Sequence, residues 1–143
     1  MENLGHIGIA ATIALAAVGS ALGSGAAGMG AIGGWKKAFS QNKPATFILI
    51  VFVGAPLTQT IYGMILMGVV KDIQSAAMQL GTGVFGGLAM GFSAWMQGKA
   101  GAAGADALAE TGKGFTNYLI VVGLIETVAL FVMVFLLSVV GGM

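Results

Sequence analysis

Cysteine and arginine are both absent from this chain of 143 residues, and histidine occurs once, as His6. The missing thiols exclude disulfides, haem attachment and thiolate metal sites. A lone imidazole cannot build a multi-histidine centre, and His6 reads as an interfacial residue at a helix start. Charge is scarce too: six lysines against five acids leave a net charge of +1, with 8% of residues charged, so there is no surface for nucleic acid. What fills the chain instead is apolar, 57% of residues, with a mean hydropathy of +0.97. No soluble domain of ordinary composition reaches that value, so the chain is expected to be an integral membrane protein. Ile7 to Leu22 has the small-residue character of a signal peptide, but Glu2 stands where a basic flank belongs and the apolar stretch runs on. It is read as a mature helix.

Apolar runs interrupted by charge or turn residues predict an all-α protein with four transmembrane helices, over 4–33, 45–70, 76–109 and 115–140. The connections are 34–44, a short one around Lys71-Asp72, and 110–114. Lys36, Lys37 and Lys43 lie in the first connection, and Lys113 lies in the third against Glu110. Positive-inside therefore puts both of those connections in the cytoplasm and both termini outside, as a multi-pass protein of the cell membrane. Spans one and three are Gly/Ala tracts with small residues one turn apart (Gly19, Gly23, Ala27, Ala31; Gly83, Gly87, Gly91), whereas spans two and four carry Phe, Ile, Leu and Val. Small faces permit close helix approach. Many copies in a closed ring would place spans one and three on its inner circle.

The sequence also repeats. Gly25-Ala26-Ala27-Gly28 recurs at 101–104, an offset of 76, and Gly54 to Thr58 matches Gly123 to Thr127 at an offset of 69. Both hairpins, 1–72 and 73–143, thus run in one direction, as a tandem duplication rather than an inverted repeat. Glu126 then corresponds to Leu57. One of two ancestral carboxylate positions has become apolar.

Glu126 is the single charge between Phe115 and Val140 and lies about 11 residues into that span, roughly 17 Å at 1.5 Å per residue, near the midplane of a ~30 Å core. An ionisable group there costs about 2.5–3.5 kcal/mol and normally faces a partner or an ion path. Its company is polar and oxygen-bearing: Thr58 and Gln59 on span two, Gln97 on span three, and Thr127 beside it. Counted from the loop near Thr111, Gln97 lies about 14 residues back and Glu126 about 15 forward, hence at one depth. Thr58 and Gln59 reach that depth through the repeat, and Tyr62, one turn on, can put its hydroxyl on the carboxylate. Pro56 lacks an N–H and frees the Phe52 carbonyl. Oxygen ligands with one net charge suit a hard monovalent cation, Na⁺, over a transition metal. The plainer alternative is that Gln and Thr simply tie helices together. Gly23-x-Gly25-x-x-Gly28 fits a dinucleotide fingerprint only formally, because no strand precedes it. Trp35 and Trp95 read as packing or interface aromatics, and Asp106 and Glu110 as solvated; Lys99, two residues past Gln97, must snorkel or face a ring interior.

Three segments, Pro56-Leu57-Thr58-Gln59-Thr60-Ile61-Tyr62-Gly63, Gln97-Gly98-Lys99-Ala100-Gly101-Ala102-Ala103-Gly104 and Ile125-Glu126-Thr127, together resemble the duplicated-hairpin proteolipid, the K or c-type subunit of the V-type ATPase rotor ring, in its sodium-translocating bacterial form. The resemblance spans essentially the whole chain. It implies a rotor-ring subunit, itself without ATP hydrolysis, that carries Na⁺ held by Glu126, Thr58, Gln59, Gln97 and the Ala55 backbone carbonyl, with Tyr62 bonded to the glutamate. It implies as partners a homo-oligomeric ring of identical subunits, a stator membrane subunit with an essential arginine, central-stalk subunits at the cytoplasmic loops, and lipid. Ala55 and Leu57 depart from the residues usual in that family, and neither removes a side-chain ligand. The alternatives are a proton-translocating ring carrying H⁺, in which the amide ligands are superfluous, a small four-helix exporter or pore, which calls for polar residues along a whole span, and a structural scaffold, which leaves Glu126 unexplained.

Overall fold

The computed structural model describes residues 2–141. All its regular structure is helical: α1 (Glu2–Ser40), α2 (Ile50–Gly54), α3 (Thr58–Val70), α4 (Ala76–Thr111) and α5 (Phe115–Val140). Short 3₁₀ turns at Phe47–Leu49 and Ala55–Leu57 join α2 and α3 into one interrupted span. The chain ends, Met1 and 142–143, lie outside the described residues, and with them the expected placement of the termini.

Three stretches are long and apolar enough to cross a membrane: Asn3–Ser40, Phe47–Val70 and Phe115–Val140. The fourth expected span, α4, has the length at 36 residues but not the hydropathy. Glycine dilutes it, together with Gln79, Gln97, Lys99 and Asp106.

That glycine has a packing purpose. A β-carbon at Gly83 would strike the carbonyl of Gly8, one at Gly19 would strike Gly91, and one at Gly98 would strike Gly23. Further along, a β-carbon at Gly30 would lie 2.7 Å from the Ala102 carbonyl. Contact positions rise together on both helices, so α1 and α4 run parallel with their backbones touching. The α2–α3 span descends antiparallel to α1, with Gly63 against Ala16, Pro56 against Gly23 and Leu49 against Gly34. α5 returns antiparallel to α4, with Gly104 against Tyr118 and Gly86 against Leu136. Two apolar clusters fill the bundle, one around Leu66, Met90, Ala129 and Met133, the other around Ala27, Leu49, Phe52 and Val122. Between them lies the polar level.

The connections differ from the expected ones. Helix α1 continues through Trp35, Lys36 and Lys37 to Ser40, so the first non-helical link is 41–46 rather than 34–44. Gly33 and Gly34 do not break it; the break comes at Asn42, whose φ of 53° is left-handed, and at Pro44. Trp35 Nε1 donates to the Thr46 carbonyl at 2.8 Å and holds the link down. The other cytoplasmic link expected, 110–114, is likewise shorter, 112–114, because α4 runs to Thr111 and stops at Gly112 (φ 66°), with Gly114 (φ 87°) turning the chain into α5. Lys37 donates to Glu110 at 2.8 Å and ties the ends of α1 and α4 together.

The glycine seam can be probed from both sides. Gly98→Ala should lower stability by about 1–3 kcal/mol through overpacking. Gly68→Ala, where a β-carbon meets nothing within 4 Å, should be neutral or raise it by about 0.5–1 kcal/mol. Thermal unfolding of the purified protein in detergent compares the two. The hydrogen bond from Lys37, and then its charge, hold the Glu110 carboxyl below its ordinary value of 4.5. A depressed folded pKa contributes stability that is complete above the ordinary carboxylate range and is lost as pH falls through the lowered value. The stability difference between the wild type and Glu110→Gln should therefore shrink on acidification, read as the gap between their unfolding temperatures across pH.

Candidate functional site

Pro56 has no N–H to give, so the second span cannot continue as a regular helix through it and tightens into the 3₁₀ turn Ala55–Leu57. The expected role of the Phe52 carbonyl is corrected by that turn. It points toward α4 one turn beyond Gln97, where it would lie 3.2 Å from a β-carbon at Gly101. The carbonyl that meets the polar level is that of Ala55, which accepts the Thr58 hydroxyl at 3.0 Å. That hydroxyl also lies 3.1 Å from Gln59 Oε1, and its single proton serves one acceptor at a time.

From Thr58 a hydrogen-bonded chain crosses three helices. Gln59 Nε2 donates to Gln97 Oε1 at 2.8 Å, and Gln97 Nε2 donates at 3.2 Å both to Glu126 Oε2 and to the Val122 carbonyl. Tyr62 closes the chain from the other side, its hydroxyl donating to Glu126 Oε1 at 2.7 Å. Both carboxylate oxygens thus accept a proton donor. Gln59 and Gln97 are wholly buried, while Glu126 is only half covered. Of the groups singled out from the sequence, Thr58, Gln59, Tyr62, Gln97 and Glu126 come together here with the Ala55 carbonyl beside Thr58, whereas the Phe52 carbonyl and Thr127 do not join them.

Other residues fall differently. Thr127 stays out of the network, since its hydroxyl bonds back to the Leu124 carbonyl of its own helix at 2.6 Å. Ser93, not singled out from the sequence, donates to the Ile125 carbonyl at 2.8 Å and pins α5 one residue before Glu126. Its signal was available: it precedes Gln97 by one turn and shares its face of α4. Asp106 and Glu110 are exposed at the end of α4. Lys99 stands with its Nζ 5.4 Å from the centre of the Trp95 ring, a cation–π contact that offsets part of the cost of its depth.

Among the described residues no group of three or more His, Cys, Asp or Glu assembles. A cation at Glu126 would meet one carboxylate and otherwise neutral oxygens, a donor set suited to a hard monovalent ion.

Residues 80–138 match the family of the ATP synthase C subunit. The matched segment covers nearly all of the α4–α5 hairpin and contains Ser93, Gln97 and Glu126. Members of that family are the rotor-ring, ion-translocating components of rotary ATPases. No curated protein matches the chain.

The network makes a stability prediction independent of any ion. Gln97→Leu strips the Gln59 amide and the Val122 carbonyl of their buried partner and should cost about 1–3 kcal/mol. Ser93→Ala, which removes one donor, should cost about 1 kcal/mol in the same thermal unfolding assay.

Proposed function

We propose that this chain is a rotor-ring subunit of a V-type ATPase that binds Na⁺ at Glu126 and carries it across the membrane as the ring turns. The observation that carries this reading is the network itself: one carboxylate, two buried amides, two hydroxyls and a backbone carbonyl brought together from the second span, α4 and α5. The ligands would be Glu126, Thr58, Gln59, Gln97 and the Ala55 carbonyl. Tyr62 would orient the carboxylate. The family match over α4 and α5 supports the rotor role. A pore calls for a continuous polar stripe, whereas the side chains joined to Glu126 cluster together and the other buried hydroxyls of α1, Thr12 and Ser20, stand outside their direct hydrogen bonds.

In this mechanism ATP is hydrolysed in a separate soluble head, which turns the ring against a membrane stator. An arginine of the stator would compete for Glu126 and release the ion, since a fixed positive charge beside the carboxylate replaces Na⁺ as its counter-charge. Away from the stator the neutralised site can face lipid, which a bare carboxylate cannot do cheaply. The links at 41–46 and 112–114 would face the cytoplasm and the central stalk. Carrying one carboxylate per four helices halves the ions moved per helix. Fewer ions per ATP support a steeper gradient, which favours pumping over synthesis.

Carbodiimide labelling tests the ion and the site together. Glu126 should react in the purified ring, NaCl should protect it, and Glu126→Gln should abolish labelling. Gln59→Leu, which removes one neutral ligand, should raise the NaCl needed for half-protection about tenfold. Labelling of Glu126 that is indifferent to Na⁺ would overturn the sodium assignment and leave a proton-carrying ring.

A further inference from the structure

Helix α1 lends no side chain to the network around Glu126, yet it carries two hydroxyls that nothing engages. Ser20 is 2% exposed and the Ser24 Oγ is sealed from solvent, and among the described residues neither oxygen has a hydrogen-bond partner. Serine and threonine on a helix often turn back to a carbonyl three or four residues earlier. Thr12, Ser40, Thr111, Thr127 and Ser138 all do so here. Ser20 and Ser24 do not, although both oxygens are shut off from water, where an unanswered hydroxyl is costly. They lie one turn apart and share a face of α1.

Packing register fixes what that face meets. Ala16 lies against Gly63 and Gly23 against Pro56, on antiparallel helices. The residue four after Ala16 therefore comes level with the residue four before Gly63, which puts Ser20 at the height of Gln59. Ser24, one turn on, comes level with Ala55 and the 3₁₀ turn. Gln59 has a proton to spare. Its amide carries two, of which one goes to Gln97 Oε1 at 2.8 Å, and among the described residues the other meets no acceptor. Because Gln59 is wholly buried, that second proton needs a partner as much as the serines do.

We propose that Ser20 and Ser24 hold one buried water against the second span, and that this water takes the second amide proton of Gln59. The water accepts from Gln59 Nε2 and from one serine hydroxyl and donates to the other serine, three bonds of the kind buried waters usually make. This role rests on the sodium reading above: Ser20 and Ser24 are positioning residues that act through Gln59. An amide can turn end for end unless its surroundings distinguish oxygen from nitrogen. With two acceptors on the nitrogen side, Gln97 Oε1 and the water, the Gln59 amide is held with Nε2 toward α4 and α1. Its Oε1 is then left beside Thr58, where the cation would lie. Turned over, the same amide would present N–H groups to the ion and repel it.

The sign of the stability change separates a bridged pair from two idle hydroxyls. Idle, Ser20→Ala would leave the unfolding temperature unchanged or raise it; bridged, it should fall. In the purified ring, Ser20→Ala should raise the NaCl needed for half-protection of Glu126 from carbodiimide about fivefold, and Ser24→Ala should act in the same direction. In a Gln59→Leu background, which has no amide proton to place, Ser20→Ala should shift half-protection no further, because the serine acts through that amide. Half-protection unchanged by Ser20→Ala, or effects of Ser20→Ala and Gln59→Leu that simply add, would overturn the positioning role and leave the sodium site standing. Wild-type labelling indifferent to Na⁺ would overturn the ion assignment and the positioning role with it.

Discussion

A carboxylate placed among hydrocarbon side chains has to be met by proton donors held at the right height, and in this bundle the Gln97 amide is the group that meets it. Its two faces do different things: Nε2 reaches Glu126 and the Val122 carbonyl, while Oε1 receives Gln59. Remove it and neither the glutamate nor the second span has a partner on α4. Hydrogen bonds in such surroundings are stronger than in water, but a broken one is correspondingly expensive. The height of Gln97 relative to Glu126 is therefore not free to drift.

Glycine at the α1–α4 seam supplies that axial precision. With backbones in contact at Gly8 and Gly83, at Gly19 and Gly91 and at Gly23 and Gly98, a slide of one helix along the other would drive a carbonyl into the opposing chain. The seam fixes α4, Ser93 and Gln97 then fix α5, and Pro56 with its 3₁₀ turn fixes where Thr58 and Gln59 leave the second span. Low hydropathy in α4 is the cost of this arrangement. Residues chosen for close approach are poor at announcing a membrane span.

Much of this is legible in the sequence, because the informative features are periodic or rare. Glu126 stands alone in an apolar run, Gln97 shares its depth by simple counting along a hairpin, and small residues at one-turn spacing mark α1 and α4 as the tight pair. What escapes is decided by local geometry. Glycine and lysine at 33–37 look like a loop, yet Gly34 is held against Ala109 and the helix runs on to Ser40. Proline predicts a freed carbonyl at Phe52 but not the direction in which the tightened turn aims it. Thr127 sits beside Glu126 in sequence, and 100° of helical rotation carries it off the network, whereas Ser93, a full turn from Gln97, is carried onto the same face and bonds the α5 backbone beside Glu126. Sequence neighbours on a helix diverge; residues one turn apart converge.

The same all-or-none quality of buried polar networks accounts for the asymmetry between the two halves of the chain. If buried polar networks decayed residue by residue, the positions in the two halves that align with this network, at the offsets of 76 and 69, would carry a mixture of polar and apolar residues. Instead Leu57, Ala21, Val128 and Phe131 are all apolar, and the one polar survivor, Thr127, bonds to its own backbone. That is what desolvation demands: each amide or hydroxyl is tolerable inside the membrane only while the others answer it, so loss of the carboxylate makes its neighbours liabilities together. The retained set is under the opposite pressure. Gln59 and Gln97 are wholly buried and bonded to one another, so neither can be exchanged for an apolar residue without stranding its partner. The network therefore holds together as a unit.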